Sequence, residues 1–195
     1  MIYIIHTDGV RYLYGDAKVI HNNDTTYGDI GAYHRIPVTT DRITIFQGRR
    51  HLNLPEISAS DDKIYHTVHN TATDFFTQWC NCHPKYKDLL LKVEQRIVEK
   101  MPEYASTIRD VNEGNEIYPH NMYSMPGALF RKYAAWLDWA LHLIELPHQD
   151  KVGSLLAERL FTIWLKHHNY PHVAVTATCY DKVTGEVINT TDGIT

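Results

Sequence analysis

Apolar positions along the chain predict short strands that alternate with longer helices. The strands, marked by short apolar runs or by alternation of apolar and polar residues, are 2–5, 43–46, 64–68, 120–125 and 173–177. Residues 15–31 are rich in Gly, Asn, Asp and Thr, so we expect a long loop there. Around Thr184-Gly185 the pattern is that of a hairpin.

Three further segments place their apolar residues at helical spacing. The first follows Pro84 and continues to Met101. The second covers residues 128–146, and the third covers residues 152–168. The third is apolar on nearly every side, which is typical of a helix buried within a domain. This order of strands and helices predicts an α/β fold.

The composition is that of an ordinary globular domain with two unusual counts. Of the 195 residues, 44% are hydrophobic and 22% are charged, which excludes disordered and collagen-like chains. We expect one domain over residues 1–195, ending in a hairpin and tail at 179–195. The chain has 13 His and 13 Tyr, and its net charge of −4 disfavours nonspecific binding to nucleic acid phosphates.

The first residues and the cysteines favour a cytoplasmic protein. The start of the chain lacks the basic and long apolar regions of a signal peptide, and no apolar stretch approaches the length of a membrane span. The three cysteines, Cys80, Cys82 and Cys179, are an odd number, and we expect them to be reduced thiols.

Glu158-Arg159 lies within the helix that is apolar on nearly every side. A buried carboxylate is costly unless it is paired or hydrogen-bonded. One interpretation is a structural ion pair that ties the helix to the sheet. The other is that Glu158 is a general base, or binds a substrate hydroxyl, at the floor of a cleft.

Polar residues follow two of the predicted strands. Arg49, Arg50 and His51 come directly after residues 43–46, at the end of a strand where α/β sheets bind ligands, and adjacent Arg side chains match a diphosphate. A solvated basic turn is the alternative. Asp61-Asp62 precedes the third strand and could coordinate a divalent cation.

A zinc site is a further hypothesis, because several of its usual ligands are close in sequence. These residues are His66, His69, Cys80, Cys82 and His83. The Cys-x-Cys-His spacing is not that of the usual zinc knuckle. Motifs for P-loops, dinucleotide binding, zinc proteases and α/β-hydrolases do not occur in the sequence.

Several segments together resemble a bacterial glycosyltransferase-like family of capsular and exopolysaccharide gene clusters. The most specific match is Leu155-Leu156-Ala157-Glu158-Arg159-Leu160, which is close to the family's Phe-Leu-Ala-Glu-Arg-Leu helix. Residues 46–52 resemble its His-Tyr-Arg-Arg-Tyr-Phe signature, and residues 121–125 resemble its Asn-Met-Phe-Ile strand. Met101-Pro102-Glu103-Tyr104 is similar to its Pro-Glu-Tyr segment. The resemblance runs from about residue 32 to residue 175.

The resemblance implies a single GT-A-like α/β domain, with a mixed central sheet flanked by helices and an abbreviated N-terminal part. It implies transfer of a sugar from a nucleotide sugar, a UDP-sugar, to a hydroxyl acceptor such as a glycan. Glu158 is then the candidate base. A divalent cation, Mn²⁺ or Mg²⁺, would be bound by Asp62.

The resemblance also divides the remaining candidates between two substrates. The residues assigned to the donor are His6, Asp8, Arg49, Arg50 and Asp62. The residues assigned to the acceptor or the sugars are His51, His83, Asn121 and Arg159. On this interpretation the two adjacent Arg side chains lie near the donor diphosphate.

The sequence departs from the family pattern in three places. Gln47 and Gly48 replace the family's His and Tyr, residues 20–31 are an abbreviated version of a longer segment, and no clear Asp-x-Asp motif is present. Two alternatives therefore remain. One is a noncatalytic module that binds a nucleotide sugar or a glycan. The other is a phage-type enzyme that glycosylates a hydroxymethylated DNA base.

Overall fold

The computed structural model describes residues 1–6, 17–21, 24, 26–39, 41–48, 50–58, 60–181, 184 and 186–189. The strands are β1 (Ile2–His6), β2 (Lys18–His21), β3 (Arg42–Gln47), β4 (Arg50–Leu52), β5 (Ile64–His66), β6 (His69–Asn70), β7 (Glu116–Ile117), β8 (Tyr123–Pro126), β9 (His172–Ala174), β10 (Ala177–Tyr180) and β11 (Val187–Asn189). The α-helices are α1 (Phe75–Cys82), α2 (Lys87–Lys100), α3 (Ala105–Glu113), α4 (Gly127–Leu141) and α5 (Val152–His168). Segments of 3₁₀ helix cover Gly28–Arg35, Pro84–Tyr86 and Pro102–Tyr104.

Most of the strands form one mixed sheet around β3. The order across the sheet is β11-β10-β4-β3-β8-β5-β9, with β1 beside β3 and β2 beside β1. Strands β2, β1 and β3 are parallel, β8 is antiparallel to both β3 and β5, and β9 is parallel to β5. Strands β6 and β7 form a separate ribbon. The predicted α/β fold with a mixed sheet and flanking helices is confirmed.

Helix α5 lies at the centre of the main core, as its apolar pattern predicts. Its bounds agree with the predicted residues 152–168, and most of its residues are buried. The Phe161 ring lies 4.9 Å from that of Tyr123 on β8 and 5.2 Å from that of Tyr133 on α4. This packing fixes α5 between the sheet and α4. Among the described residues, no helix combines the length and the apolar character needed to span a membrane.

Two predicted segments have different bounds in the structure. Residues 15–31, expected to be a loop, contain β2 and the beginning of the 3₁₀ helix Gly28–Arg35. Helix α4 ends before the predicted residue 146, because its last turn tightens. The N–H of Leu143 donates to the carbonyl of Ala140 at 3.3 Å, a bond of 3₁₀ type.

Helix α1 lies outside every helix predicted from the sequence. It begins at an Asp74 cap, whose side chain accepts a hydrogen bond from the N–H of Thr77 at 2.7 Å. At eight residues it is too short for apolar periodicity to reveal it. The cap was its only strong local signal. The helix matters because it packs against the part of α5 that carries Arg159.

Candidate functional site

The carboxyl end of β3, the start of β4, the 3₁₀ helix and α5 meet around Glu158. We call the group formed by Asp29, Gln47, Arg50, Glu158 and the backbone N–H of His120 the Glu158 cluster. These residues come from five separate parts of the chain. The arrangement follows the general rule that α/β sheets gather polar side chains where their strands end.

The pKa of Glu158 depends on three other members of the cluster, Arg50, Asp29 and the His120 N–H. Its side chain is partly exposed, and its carboxylate accepts a hydrogen bond from the His120 N–H. Burial raises the pKa of Glu158 to about 7, although the charges of Arg159 and Arg50 and the His120 hydrogen bond lower it, and Asp29 raises it further. A carboxyl group with this pKa accepts and releases a proton near neutral pH, as a general base must.

Asp29, Gln47 and Arg50 form a short hydrogen-bonded chain beside Glu158. The Gln47 Nε2 donates to Asp29 Oδ2 at 3.3 Å, and the Arg50 Nη1 donates to Gln47 Oε1 at 3.3 Å. Gln47 therefore connects a carboxylate on the 3₁₀ helix to a guanidinium on β4. In the sequence, Gln47 stands out only as a departure from the family pattern. Asp29 carried no signal, since it lies in the segment expected to be a loop.

Gly28 explains how Asp29 reaches the cluster. Its φ of 55° is left-handed, and a Cβ placed on it would lie 2.9 Å from the Cβ atoms of Lys151 and Ser154. A larger residue would push the 3₁₀ helix away from the start of α5. Glycine thus permits the close approach that holds Asp29 near Glu158.

Arg159 is directed away from the cluster, towards α1. The Arg159 side chain is only 4% exposed, and its guanidinium lies 4.9 Å from the Phe75 ring centroid and 5.6 Å from that of Trp79. Its Nη2 donates to Oε1 of Gln78. Among the described ion pairs there is none between Glu158 and Arg159, so the interpretation of these residues as a structural ion pair is not supported.

His83 lies next to Arg159, at the end of α1. Its ring centroid is 4.6 Å from that of Trp79, and its side chain is half-buried. Burial and the nearby Arg159 charge lower the pKa of His83. Of the residues assigned to the acceptor, these two are therefore brought together by the α1–α5 contact.

Asn121 is buried below the cluster rather than open to a substrate. It is 1% exposed, and its Nδ2 donates to the carbonyl of Ser154 at 2.9 Å and to Ser154 Oγ at 3.0 Å. Its φ of 49° and the φ of 78° at His120 make two consecutive left-handed residues. Such backbone is costly outside glycine, and it concentrates at functional sites.

His51 and Asp62 are not members of the Glu158 cluster. The His51 ring is 3% exposed and lies 4.9 Å from the rings of both Phe46 and Tyr180, where burial lowers its pKa to about 4. Asp62 is exposed before β5, where its charge acts on Arg42 at the opposite end of β3. The length of β3 places that end about 17 Å from Gln47. The assignments of His51 to the acceptor and of Asp62 to the donor stay predictions.

No group of three or more His, Cys, Asp or Glu among the described residues could hold a metal ion, so the five residues of the zinc hypothesis are not brought together. The Mn²⁺ or Mg²⁺ expected at Asp62 stays a prediction, because one or two carboxylates together with substrate phosphates can hold such a cation. His6 is the last residue of β1. Asp8 and Arg49 lie outside the described residues, and their assignment to the donor stays a prediction.

Comparison with known proteins gives two matches that cover most of the chain. A solved structure of the bifunctional glycosyltransferase WbbM, without ligand, superposes with a TM-score of 0.77 at 16% identity, over 95% of this chain and 45% of that one. The chain thus spans less than half of that protein, and at this identity the likeness establishes the fold. No curated protein matches. The model of the domain of unknown function DUF4422 matches residues 21–169. The chain therefore belongs to the DUF4422 family.

Proposed function

We propose that the chain is a glycosyltransferase that moves a sugar from a nucleotide sugar, a UDP-sugar, to a hydroxyl group of a glycan. The observation that carries this proposal is Glu158, a partly exposed residue whose carboxyl group has its pKa raised by burial to about 7 and interacts with the charges of Arg159 and Arg50. It lies in a domain whose fold is shared with a glycosyltransferase over nearly its whole length. Fold alone does not define activity, so the chemistry of this cluster is the argument.

The reaction needs a base for the acceptor and a cation for the departing group. Ionised Glu158 takes the proton of the acceptor hydroxyl, whose oxygen forms a bond to the anomeric carbon of the sugar. The bond from that carbon to the diphosphate oxygen breaks, and the diphosphate leaves with the electron pair. Arg50 faces Glu158 and is the described side chain suited to stabilise the negative charge on the departing diphosphate.

The neighbours of these two residues keep them in working position. Gln47 restrains the guanidinium of Arg50, and Asp29 in turn restrains Gln47. The Arg159 charge and the His120 N–H favour the ionised form of Glu158, which is the form that acts as a base. His83 and Arg159 lie on the α1 side of α5, and their assignment to the acceptor stays a prediction.

Binding of a donor is the first test of the proposal. Thermal unfolding with UDP-, GDP- and dTDP-sugars, each with and without Mn²⁺, should show stabilisation by the UDP-sugars. Absence of stabilisation by every nucleotide sugar contradicts the proposal.

Release or transfer of the sugar is the second test. With a stabilising donor, wild type should release or transfer the sugar, whereas Glu158→Gln should bind the donor without turnover. Glu94→Gln is the matched control, because Glu94 is a buried carboxyl group on α2 outside the cluster. Binding without any turnover by wild type supports the noncatalytic module. Transfer to hydroxymethylated duplex DNA, with no transfer to glycans, supports the phage-type alternative.

A further inference from the structure

The turn at His120 and Asn121 is a strained segment that contacts Glu158. Two consecutive residues adopt positive φ, 78° and 49°, one residue before β8 begins. Neither residue is glycine, so the surrounding structure must hold this backbone in place. Asn is among the few residues that tolerate the left-handed region, which accounts for its presence but not for its burial.

The Asn121 side chain supplies the fastening of this turn. Both hydrogen bonds of its Nδ2 go to Ser154, one to the carbonyl and one to Oγ. The acceptor at the Ser154 carbonyl fixes the orientation of the amide, because a flipped amide would place two oxygens against each other. The Asn121 Oδ1 is buried and has no hydrogen-bond partner. The amide therefore has no donor left for a sugar hydroxyl.

Ser154 and Glu158 are one helical turn apart on α5. In an α-helix the carbonyl of residue 154 accepts the N–H of residue 158, and side chains four residues apart share a face. The turn at 120–121 thus touches α5 at two adjacent places, through the Asn121 amide at Ser154 and through the His120 N–H at the Glu158 carboxylate.

We propose that Asn121 is a positioning residue whose amide fastens the turn to Ser154 and thereby holds the His120 N–H against the Glu158 carboxylate. The side chain acts on the reaction through Glu158 and touches no substrate. The effect of Asn121 on catalysis rests on the proposed function. The contact between the His120 N–H and the Glu158 carboxylate does not, and it is tested on the protein without any substrate.

Other groups that face Glu158 stay in place when Asn121 is changed. They are Arg159 on α5, Arg50 on β4, Asp29 on the 3₁₀ helix, and the hydroxyl groups of Tyr33 and Tyr133. A change in the titration of Glu158 on altering Asn121 therefore reports the backbone hydrogen bond. Asn121→Gly is the informative variant, because glycine keeps the left-handed backbone and removes only the amide.

The experiment is a carbon-13 NMR titration of the Glu side-chain carboxyl groups in the whole protein. The Glu158 signal is assigned by its loss in Glu158→Gln. In Asn121→Gly we expect its midpoint to rise by about one pH unit, a tenfold change in proton affinity, because the charged form loses a hydrogen bond. The Glu94 signal, on α2, should not move. Asn169→Gly is the matched control, since Asn169 has the same φ of 49° at the other end of α5.

A folded Asn121→Gly protein whose Glu158 titration superposes on that of wild type overturns the proposal. So does weaker binding of UDP-sugar with an unmoved titration, which would make Asn121 a substrate-binding residue. If Asn121→Gly fails to fold, Ser154→Ala replaces it, since this variant removes one of the two acceptors of the Asn121 amide. The midpoint of the Glu158 titration should then rise by a smaller amount. An unmoved midpoint in Ser154→Ala also contradicts the proposal. Full transfer by Glu158→Gln would refute the assigned base while leaving this contact intact.

Discussion

Glu158 and Glu94 are two carboxyl groups whose pKa is raised by burial, and their surroundings differ. Burial raises the pKa of each to about 7. Glu94 lies between α2 and α3, is 4% exposed, and accepts one hydrogen bond, from Asn112 Nδ2 at 2.9 Å. Glu158 is partly exposed and is acted on by Arg50, Arg159 and a backbone N–H.

The difference shows that a raised pKa does not by itself identify a functional site. Desolvation acts on any carboxyl group that folding removes from water. What distinguishes Glu158 is that it is partly exposed and that its carboxylate accepts a backbone hydrogen bond from His120 and interacts with the charges of Arg50 on β4 and Asp29 on the 3₁₀ helix. The charged form of Glu94 has one neutral partner and no access to a substrate.

The largest effect we expect is on turnover. Glu158→Gln should lower the rate of sugar transfer between a hundredfold and ten-thousandfold, the usual contribution of a general base. The wild-type rate should rise as the pH increases through about 7, because the base acts when ionised. The transfer rates of wild type and Glu158→Gln measure the first effect. The pH–rate profiles of wild type and Glu94→Gln measure the second. Loss of the rise near pH 7 in Glu94→Gln would reverse the roles of the two residues.

The next effect is on stability and belongs to Glu94. Its pKa is about 7 when folded against the ordinary 4.5, so its contribution to stability is complete below about pH 4.5 and is lost as the pH rises to about 7. Glu94→Gln should therefore raise the free energy of unfolding by about 3 kcal/mol at pH 8 and leave it unchanged at pH 4. Urea unfolding of wild type and Glu94→Gln at pH 8 and at pH 4 tests this prediction. An equal change in the free energy of unfolding at the two pH values contradicts it.

Arg50→Gln should have a smaller effect, on binding rather than on folding. If Arg50 binds the diphosphate as proposed, its removal should weaken binding of UDP about tenfold, as expected for one charge-assisted contact. Titration calorimetry with UDP measures it. Arg96→Gln is the control, because Arg96 lies on α2 in an exposed pair with Glu99. Equal weakening by both variants would indicate a general effect of net charge.

The smallest effect concerns Asn112. Asn112→Ala removes the hydrogen bond that favours the charged form of Glu94, so the midpoint of its titration should rise by less than one pH unit. The midpoint of Glu158 should stay where it is. The same carbon-13 titration observes both signals. Movement of both midpoints would show that the two sites are coupled.

Long periodic elements could be predicted from the sequence, and short ones could not. The bounds of α5 follow from its apolar residues, since a helix surrounded by other elements is apolar on all sides. Helix α1 and strand β2 have eight and four residues, too few for a period to be recognised. Their conformations are set by a cap and by pairing with β1, and pairing is not visible in a local pattern.

The candidate site was predicted where one segment carried both the charge and the periodicity. Glu158 stood out because its helix is otherwise apolar, a contrast contained in the sequence itself. Asp29 and Gln47 could not be found in this way, because their roles depend on a contact between β3 and the 3₁₀ helix. His51 lies on β4 and its ring packs against that of Phe46. Its side of the sheet could not be predicted, because alternation cannot be counted across the two-residue connection between β3 and β4.

The pairing of β9 with β5 has a consequence for how this protein is made. Ile64 lies opposite His172, and the two are roughly a hundred residues apart in sequence. Contacts of such long range form late, since a large loop must close before they give any stability. Synthesis proceeds from the N-terminus, so α5 and β9 leave the ribosome after β5 and β8. A chain synthesised only as far as β8 therefore has no Glu158 cluster, and the cluster forms when α5 docks on the sheet.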